Sequence, residues 1–399
     1  IETLKKLYKL FTPRERQRLG LVFVAIVITA IIEVAGIASI LPFLSIVSDP
    51  GMIQENEILS WLYNSLGFKS NNRFLFFSGM VVLVIITLSN VFAAITMWGL
   101  NRFAWMRNHT LSRRLLKRYL YRPYSFFLNK NTSELGKNTL DEVRQVINGV
   151  LRPGLNMVAK GIVSLAIFAL LLFINPWLAL LVTAVLGGAY GLIFYLMKRT
   201  LSEIGDTRYE ANTDRYKSVN EAFGGIKLLK LLGLEDSFLS RYTDASFKYS
   251  RSRASMEVIN TVPRYLIEVI AFGGLLVIIL YLLLSGGGLK QVLPLAGLYA
   301  FSGYRLKPQI QQVFHGFTSL RYNAPALQSL YSDMKPDEGN WERDVETSKK
   351  LDPISLKEQL ELNSVTYAYP ETRAPVLNEV NMNISANSTV AFAGETGSG

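Results

Sequence analysis

The last six residues of the chain, Gly394-Glu395-Thr396-Gly397-Ser398-Gly399, fill the first six positions of the pattern G-x-x-x-x-G-K-[ST]. The chemistry of that pattern is phosphate binding. Successive backbone N–H groups turn inward to cradle phosphate oxygens, and glycine keeps side chains from blocking the approach. The lysine and the Mg²⁺-binding Ser or Thr of the pattern would be the next two residues. The apolar run Thr389-Val390-Ala391-Phe392-Ala393 leads directly into it, as a buried strand does in that context. A plain glycine turn is the alternative reading. A second group, Arg264, Arg305 and Lys307, lies in or beside long apolar runs, where a charge at mid-bilayer costs about 2.5–3.5 kcal/mol on insertion scales. Cations held there suit an anionic headgroup, because charge pairing strengthens where water is scarce. Two other readings stay open. Arg264 and Glu268 have the spacing of an i,i+4 ion pair, and Arg305 and Lys307 suit snorkelling to an interface.

Other chemistries are poorly served. The chain has no cysteine, which excludes disulfides and thiolate metal sites, and its two histidines, His109 and His315, stand far apart without a carboxylate cluster. No metal site is expected.

The elements that must position these residues are membrane helices. Of 399 residues, 50% are hydrophobic and 18% charged, with mean hydropathy +0.23. Soluble domains carry about 25% charged residues. A spanning helix needs roughly 20 mostly apolar residues, and six segments qualify: Leu19–Ile46, Phe74–Trp98, Gly161–Ile174 with its start a turn or two earlier, Trp177–Met197, Val262–Leu284, and one from Val292 that fades after Arg305. Asn175-Pro176 makes a tight turn between the third and fourth. Glu33, Gly36 and Pro42 interrupt the first; the glycine and proline serve packing or a kink, and Glu33 calls for a basic partner nearby.

The net charge of +11 follows the connections. Lysines and arginines crowd the stretch before the first span and the two long loops after the second and fourth spans. The alternate connections hold only Lys69, Arg73 and Lys290. The positive-inside rule therefore places both termini and both long loops in the cytoplasm. This distribution, with no base-stacking aromatics attached, argues against nucleic acid and for anionic membrane lipids. Each inner loop spans roughly 55–65 residues of helix formers, so the spanning helices should continue below the membrane and reverse mid-loop. Reversal signals lie at Arg122-Pro123 with Asn129-Lys130-Asn131, and in the polar stretch Arg208 to Lys217. Residues 1–18 read as an interfacial helix, and Ile58 to Leu66 as a short amphipathic helix on the outer side.

After Tyr331 the composition changes, with a charged, proline-containing linker over 333–356. Strand-like runs follow from Leu360 through Tyr369, from Val376 to Ile384, and over Thr389–Ala393. The expected domains are thus 1–18, 19–332, the linker, and 357–399.

Six spans with long inner extensions, then "SVTYAYP" and "VAFAGETGSG", resemble an ABC exporter subunit. The resemblance implies an all-α membrane domain followed by the truncated, β-rich start of an α/β P-loop domain, and covers essentially the whole chain. It implies ATP and Mg²⁺ as cofactors, with Tyr369 stacking on adenine and Gly394, Glu395, Thr396, Gly397, Ser398 and Gly399 at the phosphates. It also implies a homodimer or half-transporter pair, with coupling helices near Tyr124–Leu128 and Arg208–Tyr216. The family's catalytic residues lie further along its sequence, so none is expected here, and the chain reads as a fragment. "LPFLSIVSDP", "VPRYLIEVIAFG" and "YRLKPQIQQVFHGFTSL" sharpen the likeness to PglK-type lipid-linked oligosaccharide flippases of bacterial plasma membranes. That likeness makes Arg264 and Arg305 cavity-facing groups for a pyrophosphate-linked lipid and the outer amphipathic helix a site for its tail; Lys307 adds positive charge of the same kind. No arginine lies inside the second span, where the group leads one to expect further basic lining. An exporter of another amphiphile and a membrane-bound ATP-dependent sensor share the same topology.

Overall fold

A computed structural model describes residues 2–128, 130–174, 176–284, 289–334, 355–369 and 374–394. The fold is mostly helical and divides into two units, Ile1–Leu115 with Gly136–Lys335, and Leu116–Leu135 with Pro336–Gly399.

In the first unit, α1 (Glu2–Lys9) packs by Leu7, and the turn after it buries Leu10 and Phe11, the latter edge-on to Phe103. The expected 18-residue interfacial helix is shorter because a second helix starts inside it. α2 (Pro13–Ala38) is initiated by Thr12 and Glu15, which cap each other's backbone N–H, with Pro13 at the first turn. Glu15 is also bonded to the buried Arg107, tying this start to the long helix that carries it. The first apolar run is not one helix: it breaks at Ser39 and resumes as α3 (Ile40–Ser48). Gly36 lies against Ser89, so its role is packing. α4 (Met52–Glu55) and α5 (Glu57–Ser65) follow, closing over Ile46, Ile53 and Phe74 with the rings of Tyr63 and Phe68. The expected short amphipathic helix is thus present as α5.

α6 (Asn71–Leu120) then runs 50 residues, leaving Phe76, Leu83, Leu88 and Ile95 exposed on an apolar face. Such a face suits lipid contact. Beyond the first inner loop, α8 (Thr132–Lys137) leads into two π-helical turns, Asn138–Glu142 and Ile147–Leu151, either side of α9 (Val143–Val146). α10 (Arg152–Ile174) and α11 (Pro176–Gly224) follow; Asn175 lies outside the described residues.

The reversal expected within Arg208–Lys217, and with it the coupling helix at Arg208–Tyr216, is not there. α11 passes straight through because that stretch contains no glycine or proline and its polar groups are paired. Arg208 donates to Glu142 at 3.3 Å, Asn212 to Asp141 at 2.7 Å, and Lys137 to Thr213 at 2.6 Å. The chain turns instead at Gly225 and Gly233, around α12 (Ile226–Leu232); Gly233 adopts φ 62°, the left-handed helix cap that glycine tolerates. α13 (Glu235–Leu284), α14 (Leu289–Tyr322) and α15 (Ala324–Met334) complete the unit. The expected linker therefore begins later than residue 333; residues 335–354 are outside the description. A core of Ala30, Ile37, Val163, Ile167, Leu171 and Leu306 joins α2, α10 and α14.

In the second unit, α6 ends at Leu120 and the chain turns through α7 (Tyr124–Leu128), where the expected first reversal lies. Phe126 stacks on Tyr119 and carries the Arg122 guanidinium 4.8 Å from its centroid. Asn131 caps the start of α8 through Ser133 N–H. The C-terminal part holds an antiparallel pair, β1 (Gln359–Tyr367) and β2 (Leu377–Ser385), with register shifts about Val365. The third expected strand, Thr389–Ala393, does not form. A strand needs a ladder partner, and among the described residues β1 and β2 pair only with each other, leaving Phe392 78% exposed.

Three helical stretches among the described residues, Pro13–Ser48, Asn71–Leu120 and Thr132–Ile174, are long and apolar enough to cross a membrane.

Candidate functional site

Arg264, Arg305 and Lys307 line a single cavity of about 710 Å³. α13 supplies Arg264, immediately after Pro263 within the helix; α14 supplies Arg305 and Lys307, and α6 closes the wall with Ile86 and Asn90. On α14, Arg305 and Gln309 are one turn apart, the spacing that sets two side chains on one helical face. Arg305 donates to Asn90 Oδ1 at 3.4 Å, and its guanidinium lies 5.7 Å from the Phe301 ring centroid.

The intrahelical pair that Arg264 and Glu268 could form is absent. Glu268 bonds across to Lys307, so the carboxylate ties α13 to α14. Arg264 has no ion pair or hydrogen bond among the described residues. Three cations and one carboxylate leave the cavity positive. Gln309 is only 6% exposed and its Oε1 meets no donor among the described residues, so the wall also holds a polar atom without a partner there. A guanidinium presents a planar fork of donors that matches phosphate oxygens, and Tyr304 and Phe301 add apolar surface beside it. This arrangement can hold an anionic, oxygen-rich group attached to an apolar body.

Asn90, Gln309 and Gln311 were not singled out from the sequence. Their signal was polarity inside or at the end of apolar runs, which for Asn90 stands in "LSNVF" of the second span. That amide occupies the wall where a further arginine was expected.

Below the apolar stretches, polar groups lock the helices together. Lys137, Glu142 and Arg208 are each at most 1% exposed, and Lys137 lies 3.9 Å from the Tyr209 ring centroid. Asn138 donates to Asp333 at 3.0 Å and Tyr209 to Ser329 at 2.8 Å, fastening α15. Gly205 meets the Tyr322 carbonyl so closely that a Cβ would lie 2.3 Å from the oxygen. Burial pushes the Tyr322 phenol up to about 12, against partial opposition from Arg208 and Arg253. Burial likewise lowers His315, with Glu257 opposing it.

Of the expected nucleotide contacts, Tyr369 and Gly394 are described; Glu395, Thr396, Gly397, Ser398 and Gly399 lie outside the described residues. The Tyr369 ring is 40% exposed and held edge-on by Tyr367, with centroids 5.5 Å apart.

The family model for the ABC transporter transmembrane region matches residues 19–289. The chain belongs to this family. As an ABC transporter transmembrane region it is an integral membrane protein. Among curated relatives, the ATP-dependent lipid A-core flippase of Haemophilus influenzae (strain 86-028NP) is 21% identical over 345 residues, covering 83% of this chain and 55% of the relative. The flippase of the same name from Pseudomonas fluorescens (strain Pf0-1) is 23% identical over 312 residues, covering 73% and 47%. This ABC chain thus spans about half the length of the curated relatives it matches. A solved bacterial Atm1-family ABC exporter with ATP bound superposes with a TM-score of 0.64 at 11% identity, over 93% of this chain and 61% of that one. The ABC exporter fold is shared.

Proposed function

We propose that this chain is the membrane part, with the start of the ATP-binding domain, of an ATP-driven exporter that flips a polyprenyl-pyrophosphate-linked oligosaccharide across the bacterial plasma membrane. The observation that carries this reading is the convergence of Arg264, Arg305 and Lys307 on one positive cavity walled by three long helices. The two arginines hold the pyrophosphate, Asn90 orients Arg305, and Glu268 moderates Lys307. Apolar surface on α6 accommodates the lipid tail in contact with the bilayer. In this reading all six apolar segments span the membrane, both termini are cytoplasmic, and two copies or two half-transporters share the ATP sites. Tyr369 and the loop from Gly394 to Gly399 bind the nucleotide. ATP with Mg²⁺, when bound, supplies the hydrolysis free energy that export needs.

The test uses the full-length protein in proteoliposomes with polyprenyl-pyrophosphate oligosaccharide. ATP-dependent flipping should occur, and should fall in Arg264→Ala and Arg305→Ala while basal ATPase persists. If the lipid-linked glycan is neither moved nor stimulatory, this substrate assignment is wrong. A second reading, export of another amphiphile such as a glycolipid, is favoured by the relatives named lipid A-core flippases. Glycolipid flipping without lipid-linked oligosaccharide flipping in the same vesicles would select it.

A further inference from the structure

A second, small cavity of about 30 Å³ lies between α2, α6 and α10, apart from the site above. Its lining is apolar except for Thr29 and Glu33 of α2, Thr96 of α6, and Asn156 and Lys160 of α10. Glu33 is 3% exposed, and its Oε2 meets no hydrogen-bond donor among the described residues. An isolated carboxylate does not persist ionised in such surroundings: it is paired, hydrogen-bonded or neutral.

Counting donors narrows the partner. Thr29 donates to the Ala25 carbonyl at 2.9 Å, and the Thr29 and Thr96 hydroxyls share a 2.6 Å bond. With Thr29's proton on Ala25, the proton between the two hydroxyls is that of Thr96. Both are then spent, and neither is left for Glu33. Two donors remain on the wall, the Asn156 amide N–H₂ and the Lys160 ammonium; only the ammonium can neutralise a carboxylate, and it has three protons and no ion pair within 4 Å among the described residues. Asn156 presents a buried Oδ1 without a partner on the same wall. The space is larger than the roughly 10–15 Å³ that one water centre requires, and a water needs two to four polar partners, which these groups provide.

We propose that Glu33 and Lys160 form an ion pair bridged by water inside this cavity, fastening α2 to α10 with Asn156 as the water's further partner. Glu33 is then an ionised group held within the apolar segment, and the bound water carries its hydrogen bond to the ammonium.

The test takes the full-length protein in nanodiscs and combines three measurements. Infrared difference spectra of native protein against Glu33→Gln should show loss of a carboxylate band. Lys160→Met should convert that band to a protonated carboxyl C=O stretch, itself removed in the double variant, while Lys160→Arg keeps the ionised form. Thermal melting should place Lys160→Met below the Glu33→Gln/Lys160→Met double, because the single variant must neutralise its buried carboxylate and the double has none to neutralise. A high-resolution map should show an oxygen-sized density between the two side chains. A protonated Glu33 in the native protein, or additive melting shifts in the double variant, overturns the ion pair. Direct contact of carboxylate and ammonium, with the cavity closed, overturns the bridging water.

Discussion

Glu268 is bonded to Lys307 on the neighbouring helix and leaves Arg264, one turn before it in its own helix, without an ion pair among the described residues. The cavity therefore has one neutralised cation and two that are not. Glu268→Gln should tighten binding of an anionic lipid, because Lys307 then adds its charge. Lys307→Met should weaken it less than Arg264→Ala. Titration of the full-length protein with a pyrophosphate-bearing lipid ranks the three variants, and an unchanged affinity in Glu268→Gln would contradict the charge count.

Arg208 and Glu142 lie 3.3 Å apart at 1% exposure each, with Lys137 beside them. Removing one partner of such a pair strands a buried charge and costs about 3–5 kcal/mol. Glu142 is the carboxylate shared by Arg208 and Lys137, so Glu142→Gln should lower unfolding stability by that order. Arg208→Met, after which Glu142 keeps Lys137 and the Asn212 amide, should cost less in the same denaturant titration.

Gly205 has no room for a methyl group against the Tyr322 carbonyl, and backbone on both sides resists moving. Gly205→Ala should cost about 1–3 kcal/mol or more, as overpacking does. At Gly233 the strain is conformational, and alanine in that left-handed position should cost about 1–2 kcal/mol. Thermal melts of the two variants separate these effects from the milder change expected at Gly20, where a Cβ meets nothing.

His315 lies on α14 beyond its apolar part, and burial holds its imidazole below the usual value near 6.5. A lowered histidine binds its proton more readily in the unfolded chain. Its contribution is therefore present above about 6.5 and is lost as pH falls through the folded value. The native protein should melt progressively lower as pH drops from 7 to 5, and His315→Gln should flatten that dependence. An identical pH profile in the variant would refute the assignment.

Much of the helical framework was legible because membrane helices announce themselves by length and hydropathy, and because Arg122-Pro123 and Asn131 are local breakers whose effect needs no distant contact. The second inner reversal was misplaced for the opposite reason. The polar residues from Arg208 to Lys217 resemble a turn by composition, yet Arg208, Asn212 and Thr213 are paired with groups some seventy positions earlier. Gly225 and Gly233 carried the true signal. The expected strand at Thr389–Ala393 had the right apolar pattern, but a strand exists only with a partner. At the cavity, the charged residues stood out against apolar sequence. Glu268 turned away from its nearest neighbour in the chain because Lys307 is nearer in space, and single-chain spacing contains no such information.

The absence of a reversal within α11 has a mechanical consequence. At about 1.5 Å per residue, its 49 residues make a rod roughly 70 Å long, more than twice the thickness of a bilayer's hydrocarbon core. A continuous helix of that length acts as a lever, so a small tilt imposed at the Gly225 end reappears as displacement at the Pro176 end. Leverage of that kind depends on stiffness, and it would vanish with two glycines placed at its midpoint even if every contact in the cavity were preserved.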